Sequence, residues 1–149
     1  MISTKEKLPM ISLFSGAGGF DLGLESSQFL ETLLCVELER SYFKTLQLNQ
    51  GKEFKGINFL SRAKLLNTSV VDEEAQFEIS RISDLFENWT MVGGPPCQSF
   101  SSIGKMELLE DPRGQLTPFF FDLVERYRPR FFIFENVPTV GQKSGEALR

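Results

Sequence analysis

The chain has 149 residues, 41% of them hydrophobic, and a formal charge of -4. That is enough apolar material for the core of one ordinary domain, and the acidic balance argues against a stand-alone nucleic-acid binder, which usually shows a basic stripe. Histidine is absent and the two cysteines, Cys35 and Cys97, stand far apart, which excludes a zinc site or a Cys-His or Ser-His pair within the chain and leaves catalysis to Cys, Asp, Glu, Lys or Tyr. The apolar runs are too short to cross a bilayer and nothing near Met1 resembles a signal peptide, so the chain is expected to be soluble and cytoplasmic.

In chain order, Met10-Ile11-Ser12-Leu13-Phe14 reads as a strand that passes through Ser15-Gly16-Ala17-Gly18-Gly19 into a helix opening at Phe20 and Asp21. Glycines allow backbone N–H groups to approach a ligand, although the spacing misses the strict G-x-G-x-x-G pattern. Leu33-Leu34-Cys35-Val36 reads as a second strand with Cys35 in the core, delivering Glu37 and Leu38 to its end. A carboxylate about twenty residues after such a turn is where an open α/β sheet accepts hydrogen bonds from a ribose. Residues 41–49 predict a helix capped by Ser41, and residues 50–67 read as a connector with some helix and no site. Thr68-Ser69-Val70-Val71-Asp72 predicts a brief third strand, with Asp72 at its end as a cofactor contact. Phe77, Ile82, Leu85 and Phe86 form the expected inner face of a helix over residues 73–87.

A fourth strand, residues 89–92, leads into Gly93-Gly94-Pro95-Pro96-Cys97-Gln98-Ser99. Two prolines stop the strand and stiffen the turn, so the Cys97 thiol is presented rather than packed. Residues 100–110 suit a loop, and Asp111-Pro112-Arg113-Gly114 a turn. Thr117 is the expected cap of a helix with Pro118 at its first position, burying Phe120, Phe121, Leu123 and Val124. Phe131-Phe132-Ile133-Phe134 predicts an apolar strand of the kind buried in a parallel sheet, ending at Glu135-Asn136-Val137. Alternating strands and helices predict a doubly wound, Rossmann-like α/β sheet with its site at the carboxyl edge.

Leu13 to Gly19, the strand-ending Glu37, Gly94 to Ser101, Asp111 to Gly114 and Glu135 to Val137 together resemble the ordered early motifs of the cytosine-5 DNA methyltransferase family. The resemblance covers nearly the whole chain, residues 1–149, and implies S-adenosylmethionine as cofactor. It is implied to sit among Phe14, Ser15, Gly16, Ala17, Gly18, Gly19, Phe20, Glu37, Leu38, Asp72 and Pro95. The implied chemistry is attack of the Cys97 thiolate on C6 of a flipped-out cytosine, which makes C5 nucleophilic toward the methyl group, with Glu135 relieving charge at ring N3. Gln98, Ser101 and Lys105 are implied contacts to the DNA backbone, with Pro96, Arg113, Asn136 and Val137 in support; no metal is implied.

The chain departs from the family in two ways. Ser12 stands where the first motif usually has an acid, and the chain ends at Arg149, before the family's arginine-containing motif, target-recognition region and terminal segment. A truncated or split bacterial methyltransferase, of the kind found in restriction-modification, is therefore expected. Its Phe131 to Phe134 strand would become an open edge that self-associates or pairs with a complementing chain. A silent cofactor-binding remnant or interaction subunit, and a tRNA cytosine methyltransferase, are the alternatives at this point.

Overall fold

The computed structural model describes residues 6–96 and 116–136. Strand β1 (Leu8–Leu13) is followed by α1 (Gly19–Glu25), β2 (Leu30–Val36), α2 (Arg40–Asn49), a hairpin of β3 (Glu53–Phe54) and β4 (Ile57–Asn58), and β5 (Lys64–Leu66). The chain continues through α3 (Glu73–Leu85), β6 (Thr90–Gly93), α4 (Leu116–Tyr127) and β7 (Phe131–Phe134). Five strands pair in parallel in the order β5-β2-β1-β6-β7. The order reverses at β1, and in an open parallel sheet that reversal opens a crevice beyond the carboxyl ends of the strands.

Period-two alternation sends side chains of β2 to opposite faces. Leu34 and Val36 join Ile11, Leu13 and Met91 beneath Ile79 and Ile82 of α3 and Phe120 and Leu123 of α4. Cys35 points the other way, into a second core with Leu46 of α2, Phe59 and Leu60, against which Leu22 of α1 packs. Helices therefore cover both faces, as the doubly wound expectation requires. Trp89, at the foot of β6, is 2% exposed, and burial of each such large apolar side chain is worth roughly 1.5–3 kcal/mol.

Several expected elements move. The third strand of the sheet is Lys64–Leu66, not residues 68–72, and much of 50–67 is a hairpin rather than helix. Residues 68–72 form a turn in which the Asp72 carboxylate accepts hydrogen bonds from Thr68 Oγ1 at 2.6 Å and the Ser69 amide at 3.0 Å, so Asp72 precedes α3 instead of ending a strand. Those two bonds hold its carboxyl below the usual value. Helix α2 begins after Glu39, whose own carboxylate accepts from Ser41 N–H and Oγ, so Glu39 is the cap rather than Ser41. On α3 the inward face is Ala75, Glu78, Ile79 and Ile82, while Phe77 and Leu85 are exposed. Thr117 lies inside the first turn of α4 and is buried.

Strand β7 is the last strand of the sheet. Helix α4 covers one side of it through Phe121, whose ring centroid lies 5.1 Å from that of Phe134 and 6.1 Å from that of Phe132. Phe131 and Phe132 of this strand are 55% and 49% exposed. Among the described residues no helix is long and apolar enough to cross a membrane.

Gly93 sets how closely α4 approaches the sheet, because a Cβ there would lie 2.7 Å from a Phe120 ring carbon and 3.1 Å from the Leu13 carbonyl oxygen. The Gly93→Ala variant is expected to lose about 1–3 kcal/mol of stability in urea unfolding, the cost of overpacking a filled core, and an unchanged midpoint would show that Phe120 can yield.

Candidate functional site

The first wall of the site is the turn between β1 and α1. It begins with Phe14 at φ 57, a left-handed conformation unusual for a bulky residue, and continues through Gly16 at φ 56 and Gly18 at φ 86. Backbone strain of this kind costs about 1–3 kcal/mol and persists only where neighbours enforce it. Here they do. The Ser15 amide donates to the Val36 carbonyl at 3.2 Å, and a Cβ on Gly18 would fall 2.7 Å from Leu46 and 2.9 Å from Phe59.

Glu37, at the end of β2 and 8% exposed, supplies the second wall. Its carboxylate accepts from the Gly16 amide at 2.7 Å and from the Glu39 amide at 2.6 Å, so it joins the glycine turn to the start of α2. Each carboxylate oxygen has a second lone pair left for a ligand hydroxyl. Asn67, just past β5, steadies the same segment: its side-chain amide donates to the carbonyls of Glu37 and Leu38 at 2.8 and 3.0 Å.

Together these strand ends line a cavity of about 520 Å³, with Phe14, Gly16, Glu37, Leu38 and Pro96 among its walls. Glu39, Ser41, Tyr42, Thr68, Ser69, Val70 and Gly94 also line it and were not anticipated as site residues. Among the expected contacts, Ser15, Gly18 and Pro95 are buried behind the wall, whereas Ala17, Gly19 and Phe20 are exposed beyond it, and Asp72 does not line it. The signal for Thr68 to Val70 was the strand-end rule itself, applied to a strand placed four residues too late.

On the far side, Gly94 links the cavity to Glu135. Register pairing of β6 with β7 puts the Glu135 amide 3.0 Å from the Gly93 carbonyl, and a Cβ on Gly94 would lie 2.9 Å from Glu135 Oε2. The exposed Glu135 carboxylate thus rests against a backbone bare of side chain, three residues before Cys97 in sequence. Asn136 is half-buried beside it. Cys97, Gln98, Ser101, Lys105, Arg113 and Val137 lie outside the described residues.

A buried polar cluster underlies the glycine turn. Asp21 is fully buried, with Cys35 Sγ 3.9 Å from Oδ1, and Oδ2 has no partner among the described residues. Burial pushes its carboxyl up to about 6, with Glu25 adding in the same direction and the Ser12 hydroxyl and Cys35 thiol opposing. Burial, reinforced by the negative charge of Asp21, holds the Cys35 thiol well above its ordinary range. Cys35 is therefore an inert core thiol.

Comparison with known proteins gives a consistent picture. The family model for C-5 cytosine-specific DNA methylase matches residues 8–148. The chain is 38% identical over 140 residues to the Type II methyltransferase M.AquIA of Picosynechococcus, covering 93% of this chain and 52% of that protein. It is 30% identical over 143 residues to the Type II methyltransferase M.FnuDI of Fusobacterium nucleatum, covering 95% of this chain and 36% of that protein. It thus spans about half the length of the first relative and about a third of the second. Among solved structures it is similar to a DNA modification methyltransferase encoded within an Escherichia coli prophage, with a TM-score of 0.71 and 29% identity, covering 96% of this chain and 36% of that one. The fold is also that of Spodoptera frugiperda DNMT2, with a TM-score of 0.65 at 19% identity over 95% of this chain and 39% of that one.

The Asp21 carboxyl, raised from 3.8 to about 6, holds its proton in the folded chain where the unfolded chain has lost it. Its stabilising contribution is therefore complete below about pH 4 and is lost as pH rises through about 6. Between those values the parent chain is expected to lose up to about 3 kcal/mol relative to Asp21→Asn, which does not titrate. Parallel urea curves for the two proteins across that range would show that Asp21 does not control the effect.

Proposed function

Because the chain belongs to the C-5 cytosine-specific DNA methylase family, we propose that it forms the cofactor-binding and nucleophile-bearing part of a DNA cytosine-5 methyltransferase that uses S-adenosylmethionine. The observation that carries this reading is the placement of Glu135 against Gly94, on the strand end that leads directly to Cys97, beside a cavity whose opposite wall holds Glu37. A carboxyl group and a proposed ribose acceptor then stand on opposite sides of one crevice, with Cys97 three residues beyond Gly94 in sequence.

The cavity suits that cofactor. Among the described residues its lining includes the carboxylates of Glu37 and Glu39 and neither lysine nor arginine, which favours a ligand with a cationic centre over a phosphate-bearing dinucleotide. When bound, S-adenosylmethionine supplies an electrophilic methyl group. Glu37 would accept the ribose hydroxyls on the lone pairs that Gly16 and Glu39 leave open, and Phe14, Leu38 and Tyr42 would flank the adenine with apolar surface. Gly16 and the strained Phe14 bring the backbone close to the ligand without an intervening Cβ at the glycine.

In the reaction, Cys97 would add as thiolate to C6 of the extruded cytosine, its lone pair forming the S–C6 bond as the C5=C6 π bond breaks and that π pair moves onto C5. Glu135 would hold a proton at N3 and so relieve the charge that sulfur addition places on the ring. After C5 has gained its methyl group, loss of the C5 proton to a base and expulsion of the Cys97 thiolate would restore the aromatic ring and free the enzyme. Gln98, Ser101 and Lys105 are proposed to hold the DNA backbone, with Arg113, Asn136 and Val137 supporting the site.

The target-choosing surface is proposed to lie in a further segment or a separate complementing chain that pairs along the edge of β7. The half-length span relative to M.AquIA and the exposed Phe131 and Phe132 support this reading. An acidic chain would gain from such a partner most of the positive charge that DNA binding requires.

Glu37→Ala is expected to weaken S-adenosylmethionine binding in calorimetry by roughly tenfold or more, since it removes the ribose acceptor and unties the glycine turn. The decisive experiment is covalent trapping on duplex DNA carrying 5-fluorocytosine at the target. It would use the chain alone and the chain grafted in place of the matching segment of M.FnuDI. A denaturation-resistant adduct that disappears in Cys97→Ser is expected for the graft. No adduct from either protein would leave a silent cofactor-binding remnant as the better account.

A further inference from the structure

We propose that Gln76 is a positioning residue for the cofactor site, its side-chain amide clamping the Val70 wall of the cavity to helix α4. The segment 67–72, between β5 and α3, is neither strand nor helix, yet Thr68, Ser69 and Val70 line the cavity. Asp72 closes this turn on itself through Thr68 and Ser69. Its anchors to the rest of the fold stand at the two ends. Asn67 donates to the carbonyls of Glu37 and Leu38, and Gln76 Nε2, one turn into α3, donates to the Val70 carbonyl at 2.6 Å. Val70 is 3% exposed, and among the described residues no other hydrogen bond reaches its carbonyl.

The other half of the amide faces α4. Gln76 Oε1 accepts from Arg126 Nη1 at 3.3 Å and from the Tyr127 hydroxyl at 3.2 Å, and that hydroxyl also lies 3.4 Å from the Gln76 carbonyl oxygen. A carbonyl on one side and a guanidinium on the other call for a group that both donates and accepts, and a carboxamide is the group that does so at this length. Turned over, it would set oxygen against oxygen at Val70 and N–H against N–H at Arg126, so the surroundings admit one orientation. A carboxylate in its place would keep the acceptor for Arg126 and Tyr127 but turn an oxygen on the Val70 carbonyl.

Helix α4 also reaches the cavity directly, since Leu116, its first residue, is among the lining side chains. Its inward Phe120 and Leu123 share a core with Ile79 and Ile82 of α3. Apolar packing of this kind is non-directional. The Gln76 bonds are directional, and they set where the Val70 carbonyl, and with it the backbone of the cavity wall, stands relative to both helices. Removing them costs the fold little: Gln76 is only half-buried, alanine is the better helix former, and an acid near the N-terminus of a helix meets a favourable dipole. Position and stability can therefore be separated by substitution.

The link to cofactor binding rests on reading the cavity as the S-adenosylmethionine site, and the experiment separates the two. In the ¹⁵N-labelled chain the Val71 amide, which shares its peptide unit with the Val70 carbonyl, is expected to shift in Gln76→Ala and Gln76→Glu. It should stay closer to the parent in Tyr127→Phe, which leaves Gln76 Nε2 and Arg126 in place. The urea midpoints of both Gln76 variants should stay near that of the parent. In calorimetry, S-adenosylmethionine affinity should fall about tenfold in Gln76→Glu and about threefold in Gln76→Ala. A Val71 amide that does not move in Gln76→Glu overturns the clamp. In a chain that binds the cofactor, unchanged affinity in both variants, or a loss that only follows a fallen urea midpoint, overturns the positioning role. A Val71 amide that moves as stated in a chain that binds no cofactor keeps the clamp and removes the cofactor reading.

Discussion

Two short hydrogen bonds to the Glu37 carboxylate hold the site together. One comes from Gly16 and the other from Glu39, so a single side chain fastens the end of β2 to the turn after β1 and to the first residues of α2. Two amide donors at 2.6 and 2.7 Å on one nearly buried carboxyl group make a short, specific tie. They also oppose the strain at Phe14, which the turn could otherwise release by rotating away from the sheet. Asn67 adds a third strand end through the carbonyls of Glu37 and Leu38. The wall is therefore built from the tips of β1, β2 and β5, which the parallel ladder already holds in register, and needs little from the helices beyond their packing.

The charge of the site follows from the same arrangement. Glu37 and Glu39 line the cavity, and Asp21 and Glu25 lie buried on the side of α1 beneath the turn. Glu25 is satisfied by two amides, while one Asp21 oxygen lacks a partner among the described residues. A buried carboxyl left partly unsatisfied is costly in a core, and Asp21 lies directly beneath the glycine turn. Asp21, from α1, brings its carboxyl into the buried polar cluster beneath the turn, with Cys35 Sγ 3.9 Å from Oδ1.

Much of the fold was legible because the β1 turn, the second strand and the Gly-Pro-Pro stop carry strong local signals. Apolar runs bounded by glycine or proline leave few alternatives for the backbone. Residues 50–72 failed for a physical reason. Strand β5 has only three residues, one of them charged, and pairs with β2 alone, so its stability comes from the sheet rather than from its own composition. Val70 and Val71 look more strand-like in isolation, yet Asp72 draws that segment into a turn by accepting from Thr68 and Ser69. Phe77 misled in a similar way, because helical spacing marks a stripe without saying which stripe faces inward. Glu37 was legible as a strand-end acid, but its role as a tie was not, since hydrogen bonding across 21 residues leaves no trace in local pattern.

The side of the crevice that carries Glu135 is held differently. Among the described residues no carboxylate ties it to a second strand end; the Glu135 backbone is held by the ladder between β6 and β7, and its side chain lies against the bare Gly94. Its side chain is exposed, so the role proposed for it would require something to cover it and exclude water. A cytosine seated over Gly94 would itself exclude that water, since the base brings a flat apolar face to the one side the strands leave open. Such a site is completed by its substrate. The wall proposed for the cofactor is tied within the described residues, whereas the side proposed for the nucleophile would depend on whatever presents and holds the base.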